Sequence, residues 1–425
     1  MFLTLEDPRA RIKGSRDPLG VLPVWSSFGR RAVVNLTTVT TSVRGFTVLV
    51  LGHYWIERLI DEGKLREEDA LSAFLRWEQL AAYGRWRTGE GGRVLGISLV
   101  DRFAARGRVA IDDGPEGRIL SDQKTYGLWG LYTVSSRTSG LVKAEGVGVT
   151  GEAATHLETV VVPRLDSMAR KLDELVVRGG TVDVNAKKGP VPALAEVLTE
   201  ELQDVEREFY ARYLRDAEGV VGGEVPGERQ AMLARLYREL DETCEEFGWV
   251  ELDGLTRAAR DADPALARAL ERIGALEAFI APIERLYGFL QGSNGRTPQE
   301  VATELDERWP DGVTRLDVAA LGELDTEIET VVGPELRGAM MRTAGAVADR
   351  DWRAAIECLL TWNELVMEAR GGAPWVRLGD NGKLDVRYRG LSTYLPTQAE
   401  LADLWRNSYF MDALKGICAQ LESAA

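Results

Sequence analysis

The stretch from Phe46 to Ile60, Phe-Thr-Val-Leu-Val-Leu-Gly-His-Tyr-Trp-Ile-Glu-Arg-Leu-Ile, constrains the fold most, because it is the most apolar run in the chain. A bilayer span needs about 20 apolar residues. This run is shorter and already carries Glu57 and Arg58. It therefore reads as a buried core helix. Thr41 or Ser42 can cap it, the helix then covers Val43 to about Asp61, and Gly63 stops it. A helix of this kind needs a core around it. The 425 residues, 45% hydrophobic and 28% charged, are enough to build one and suggest two to three domains.

The charge is uneven. Residues 1–150 hold 21 Lys and Arg against 17 Asp and Glu, whereas 151–425 hold 31 against 50. An acidic surface repels phosphates, so any contact with nucleic acid is expected in the first 150 residues. Only two histidines, His53 and His156, and three separated cysteines, Cys244, Cys358 and Cys418, are present. That pattern supports neither a disulfide framework nor a zinc cluster, and it fits a reducing cytoplasm. Both histidines read as core or boundary residues. Cys244 and Cys418 read as packing residues. The start of the chain, charged and containing Pro8, shows no signal-peptide core.

Four segments follow from the pattern. Residues 1–64 form an arm and the core helix. Residues 65–162 carry helices from about Arg66 to Tyr83 and from Arg93 to Ala105, then a short strand at Arg108-Val-Ala-Ile111. Ser121-Asp122 next caps a helix running through Trp129, Leu131, Tyr132 and Val134 to Gly140, and a two-strand turn covers Leu141 to Thr150. Helix, helix, strand, helix, hairpin is the order of a winged helix-turn-helix, in which a hairpin covers the open edge of a small helical core. Residues 163–292 read as acidic helices broken by the Gly219–Gly227 connector. Residues 293–425 read as a helical domain, opened by Thr297-Pro298-Gln-Glu300 with its capping logic. A β-hairpin is expected at 374–388 around Gly379-Asp-Asn-Gly382, and a last helix from Gln398 to Leu421. The fold class is thus mainly α, with a winged helix-turn-helix-like N-terminal domain and a helical C-terminal region bearing a small hairpin.

Motifs with a defined chemistry are few. GxxxxGK[ST], HExxH and GxSxG do not occur. The single GxGxxG string, Gly146-Val-Gly-Val-Thr-Gly151, lacks the second parallel strand of a dinucleotide fold and reads as the turn of the wing. Asp183-Val-Asn-Ala-Lys187 has the acid and lysine of a divalent-metal nuclease but no strand core around it, so a solvated loop is expected. The basic residues are more telling. Arg30 and Arg31 follow Phe28-Gly29, Lys124 and Arg137 lie on the expected recognition helix, and Lys143 lies on the wing. In a DNA-binding winged helix those two elements meet the groove and the backbone. These five are the candidate duplex-DNA contacts, with a protein–protein role of the same domain as the alternative. No catalytic residue, cofactor or metal is assigned.

Several strings resemble a known group of proteins. Arg16-Asp-Pro-Leu-Gly20, Phe28-Gly29-Arg30, Leu36-Thr-Thr-Val39 and Val43-Arg44-Gly45-Phe46 resemble the opening of uncharacterised bacterial proteins encoded in phage-defence islands, beside helicases or phospholipase-D-type nucleases. The segment from Leu120-Ser121 to Thr150 and Trp375-Val376-Arg377 are similar too. The resemblance is piecewise and covers about a third of the chain. It implies an accessory subunit of an antiviral system and no catalytic residues. The expected reading is a non-catalytic subunit that binds an ATPase, helicase or nuclease subunit, and the short apolar run argues against a membrane partner. Two other plans remain open: a kleisin-like linker of an SMC-type ATPase, and a metal-dependent nuclease centred on Asp183.

Overall fold

A computed structural model describes residues 17–89, 94–220, 225–240, 247–390 and 392–422. The protein is mainly helical, with two small two-stranded antiparallel sheets. The chain divides into two compact units, and both are discontinuous in sequence. Residues 1–32 and 240–409 make unit 1, and residues 33–239 and 410–425 make unit 2. This division cuts across the four consecutive segments expected from the sequence. None of the described helices is long and apolar enough to cross a membrane.

Unit 2 is built around the helix Val43–Asp61, buried continuously from Val43 to His53. Ser42 caps it by accepting the Gly45 N–H at 3.1 Å. Gly63, at φ +69°, ends the following turn. The helix Ala70–Arg87 crosses close to it at Gly52, where an added Cβ would lie 2.5 Å from Trp77 Cδ1. The indole of Trp77 then reaches the Val48 carbonyl at 2.9 Å. Burying aromatics of this size gives each ~2–3 kcal/mol of hydrophobic stabilisation. The helix Met411–Glu422 also belongs here. Gln420 accepts the Val43 N–H at 3.0 Å and donates to Thr41 O at 2.7 Å, closing the free end of the core helix.

The strand Arg108–Ile111 exists as expected, but its partner is Gly180–Asp183, paired antiparallel from Arg108↔Asp183 to Ile111↔Gly180. The 141–150 turn closes on itself through the bridge Val142↔Val149 and does not join that strand. No wing sheet therefore forms among the described residues. The partner strand was hidden inside a region read as helical. Gly179 and Gly180, both at positive φ, end the helix Ala169–Arg178 and release Thr181-Val-Asp183 as a strand with Val182 buried. The helix expected from Ser121 to Gly140 is also two pieces, Gln123–Tyr126 and Leu128–Thr138, parted at Gly127. Asp122 caps the first piece by accepting the Thr125 N–H at 3.1 Å.

Unit 1 is organised on the 27-residue helix Pro264–Leu290, capped by Asp263 and continuous through Pro282. The helix Trp249–Ala262 packs along it, and the short helices Leu22–Gly29 and Val318–Gly322 touch it. Trp352–Ala369, itself paired with Pro334–Ala348, reaches it where Trp362 stacks on Phe279 at 6.0 Å. Thr297 and Glu300 form the expected capping box, with Thr297 N–H on Glu300 Oε2 at 2.7 Å and Glu300 N–H on Thr297 Oγ1 at 3.2 Å. The hairpin is as read, Val376–Leu378 on Leu384–Val386 around Gly379–Gly382. The single last helix is not. Gln398–Ala402 and Met411–Glu422 are separated by a turn in which Tyr409 and Phe410 both take positive φ, a conformation no side-chain pattern announces.

Candidate functional site: a polar cleft backed by a buried glutamate

The five basic residues named from sequence are divided between the two units. Arg30 and Arg31 belong to unit 1 and the other three to unit 2. Arg30 is half-buried, and burial lowers its guanidinium pKa to about 10. Arg31 pairs with Glu327 and stacks over Phe28 at 5.0 Å, while Glu327 also holds Arg272 at 2.8 Å. Lys143 pairs with Glu57. Arg137 donates to Gly146 O at 2.9 Å. Lys124 stands exposed on the turn Gln123–Tyr126.

The other candidates have structural roles. His53 stacks on Trp129 at 5.3 Å and 8°, and its Nδ1 accepts the Gly148 N–H at 3.4 Å. Burial first, and the charge of Arg137 second, lower its pKa to about 4, so it is neutral at pH 7. His53 and Glu57, one helical turn apart, thus hold the GxGxxG turn in place. His156 stacks on Phe209 at 3.9 Å, and burial lowers its pKa too. Asp183 accepts the Asn185 N–H at 2.9 Å in a local turn. Among the described residues no group of three or more His, Cys, Asp or Glu side chains could hold a metal ion. Burial pushes the Cys418 thiol up to about 12, and Cys358 also lies above its usual value. Cys244 and Arg93 fall outside the described residues.

Unit 1 contains a cleft of about 380 Å³ that the sequence reading missed. Its walls come from Asp17 and Trp25 near the start of the chain, from Glu284 and Arg285 on the long helix, and from Trp405, Arg406 and Asn407. Asp17 caps the helix Leu22–Gly29, accepting the N–H groups of Val21 at 2.9 Å and Leu22 at 3.2 Å. Glu284 accepts from Arg406 Nε at 3.0 Å and from Asn407 Nδ2 at 3.2 Å. Burial raises its carboxyl above the usual range, against the pull of Arg406. Arg285 is lowered by burial and then by the like charge of Arg406, so two guanidinium groups share one field.

Behind the cleft lies Glu277, fully buried two turns before Glu284 on the same helix. Its Oε1 accepts the backbone N–H groups of Arg406 at 2.6 Å and Asn407 at 3.0 Å. Its Oε2 accepts Asn407 Nδ2 at 3.1 Å and the Tyr409 hydroxyl at 2.8 Å. Burial lifts Glu277 to about 7 despite these four donors. The carboxyl thus fixes the 405–409 segment whose side chains line the cleft, and it fixes Tyr409 in its left-handed conformation. Trp405 packs edge-on to Trp249 at 5.1 Å and lies 5.7 Å from Tyr409, and Trp25 meets the same tyrosine at 5.8 Å.

The cleft has a floor held by Glu277, two aromatic walls, and two arginines, of which Arg406 is paired with Glu284 and Arg285 donates to Ser392 Oγ at 3.3 Å. The seven-residue spacing of Glu277 and Glu284 within the apolar run Leu276–Leu290 was the available sequence signal. No protein-family model, curated protein or solved structure matches the chain.

Proposed function

We propose that the chain is a non-catalytic subunit of a bacterial antiphage defence assembly, and that the cleft of unit 1 receives an acidic segment of a partner protein, an ATPase, helicase or nuclease subunit. One observation carries the reading. Arg285 and Arg406 share a cleft with Trp25 and Trp405 on a segment already locked by Glu277. Arginine and tryptophan in such preformed pockets supply most of the affinity of protein interfaces, and pre-ordering lowers the entropy lost on binding. Leu22, 51% exposed at the rim, offers the apolar contact that would flank the acidic group.

The test is purification of the tagged protein from its host at moderate salt, with mass spectrometry of what accompanies it. An ATPase, helicase or nuclease that follows the wild type and is lost with Arg285→Glu is the expected result. A protein that emerges alone overturns the subunit reading. A partner that stays with Arg285→Glu overturns the cleft.

Duplex DNA is the second reading, for one reason. Lys124 and Tyr126 are exposed on the turn ahead of Leu128–Thr138, the helix that a winged helix-turn-helix domain over 65–162 would direct into a groove. It predicts that Lys124→Glu weakens duplex binding.

A further inference from the structure

We infer that unit 2 carries a nucleic-acid-binding patch at the open end of its small sheet, on residues distinct from the cleft and from the five basic positions above. Antiparallel pairing of Arg108 with Asp183 brings the segment before the first strand beside the segment after the second. The Val184 N–H donates to Gly107 O at 2.9 Å and ties the two together. Arg87, at the end of the helix Ala70–Arg87, donates to Val184 O and joins the same place.

The side chains carried by these two segments are strongly basic. Arg102, Arg106 and Arg108 come from the first, and Lys187 and Lys188 from the second; all five are exposed. Among the described residues none of the five forms an ion pair with an acidic side chain. This contrasts with Arg31, Arg44, Arg58, Arg85 and Lys143, each held by a carboxylate. The nearby acids are Asp101, which accepts the Trp86 indole N–H at 2.7 Å, and Asp183, which accepts the Asn185 N–H. Two of the chain's nine lysines are thus adjacent, beside three unpaired arginines, in a protein of net charge −15. With only Asp101 and Asp183 beside five cations the patch keeps an excess of positive charge, which costs stability and which a phosphate backbone would offset.

An aromatic ring lies within the patch. The guanidinium carbons of Arg102 and Arg106 lie 5.2 and 5.1 Å from the centroid of Phe103. Guanidinium planes held against a ring are ordered surfaces on which bases can stack, and basic groups around an aromatic are the footprint of nucleic-acid binding. The Asp183-Val-Asn-Ala-Lys187 string acquires a role here: its turn presents Lys187 and Lys188 beside the arginines.

The experiment is fluorescence anisotropy of the full-length protein with a labelled 20-nucleotide single strand and with its duplex, each across a salt series. Wild type should bind at least one of them with affinity falling steeply with salt. Lys187→Glu/Lys188→Glu should weaken binding at least tenfold and flatten the log–log salt slope by about 2, at about 0.9 per lost phosphate contact on duplex. Arg102→Glu/Arg106→Glu should do the same, with an unchanged melting temperature showing that the fold is intact. Lys383→Glu, at an exposed position on the hairpin of unit 1, should leave binding unaltered. If neither oligonucleotide binds, or if both double variants keep the wild-type affinity and slope, the patch is refuted. Loss with Lys124→Glu alone would move the contact to the helix Leu128–Thr138 and refute it equally. The cleft reading is tested by the partner experiment and is untouched by either result.

Discussion

Among the described residues each unit buries two glutamates, Glu78 and Glu206 in unit 2 and Glu251 and Glu277 in unit 1, and of these Glu78 and Glu277 do related work. Glu78 in unit 2 accepts the Leu128 N–H at 2.6 Å and Gln123 Nε2 at 2.9 Å, starting the helix Leu128–Thr138 where Gly127 has no side chain to cap it. Glu277 in unit 1 fixes the 405–409 segment through four bonds. Burial raises both to about 7. What differs is the space beside them. Glu78 borders a cavity of about 20 Å³, room for a single water. The segment held by Glu277 lines a cleft of about 380 Å³. The same buried carboxyl thus closes a core in one unit and steadies the wall of an open cleft in the other.

The largest expected effect is on the four-bonded glutamate. Glu277→Leu strands three donors from the 406–409 backbone and the Tyr409 hydroxyl, besides the Asn407 amide, and should cost about 4 kcal/mol in urea denaturation. Glu78→Leu strands fewer and should cost about half as much. Equal costs would mean that bond number is not what separates the two sites.

The next effect is on pH. A buried acid whose folded pKa lies above its unfolded value binds its proton more tightly when folded. The stability it contributes is therefore complete below about pH 4.5 and is lost as pH rises through about 7. Each glutamate should remove on the order of 3 kcal/mol between pH 4 and pH 8. Denaturation midpoints measured across that range should fall, and the double variant Glu78→Gln/Glu277→Gln should flatten the curve.

The smallest effect distinguishes the sites most finely. In Glu78→Gln the amide oxygen can keep the Leu128 N–H while Gln123 turns its own amide, so the loss should be about 1 kcal/mol. In Glu277→Gln the new amide nitrogen meets Asn407 Nδ2, which Glu284 also holds and which therefore turns less readily, so it should lose more. Side-by-side melts of the two single variants give the order directly.

Much of the local structure was legible. Ser42, Gly63, Asp122, the Thr297–Glu300 box and the Gly379–Gly382 turn act through neighbours a few residues away, so their signals lie in the sequence. The misses share one cause, which is distance along the chain. Nothing near Arg108 announces Asp183 as its partner. Nothing near Lys143 announces that Glu57 neutralises it, so a charge read as available for phosphate is already paired. The cleft was half visible in the Glu277–Glu284 spacing. Its other half, Asn407 and Tyr409, comes from a turn with positive φ at a tyrosine and a phenylalanine, inside a stretch that otherwise reads as one helix.

The split ownership of the chain also sets an order in time. Unit 2 gathers residues 33–239 but takes its closing helix from 410–422, after all of 240–409 has been made. A ribosome adding about 5–20 residues per second needs roughly ten to thirty seconds for that interval. Through it the start of the helix Val43–Asp61 waits without the Gln420 clamp. In a nascent chain of this design the first turn of that helix is thus among the last places to be closed.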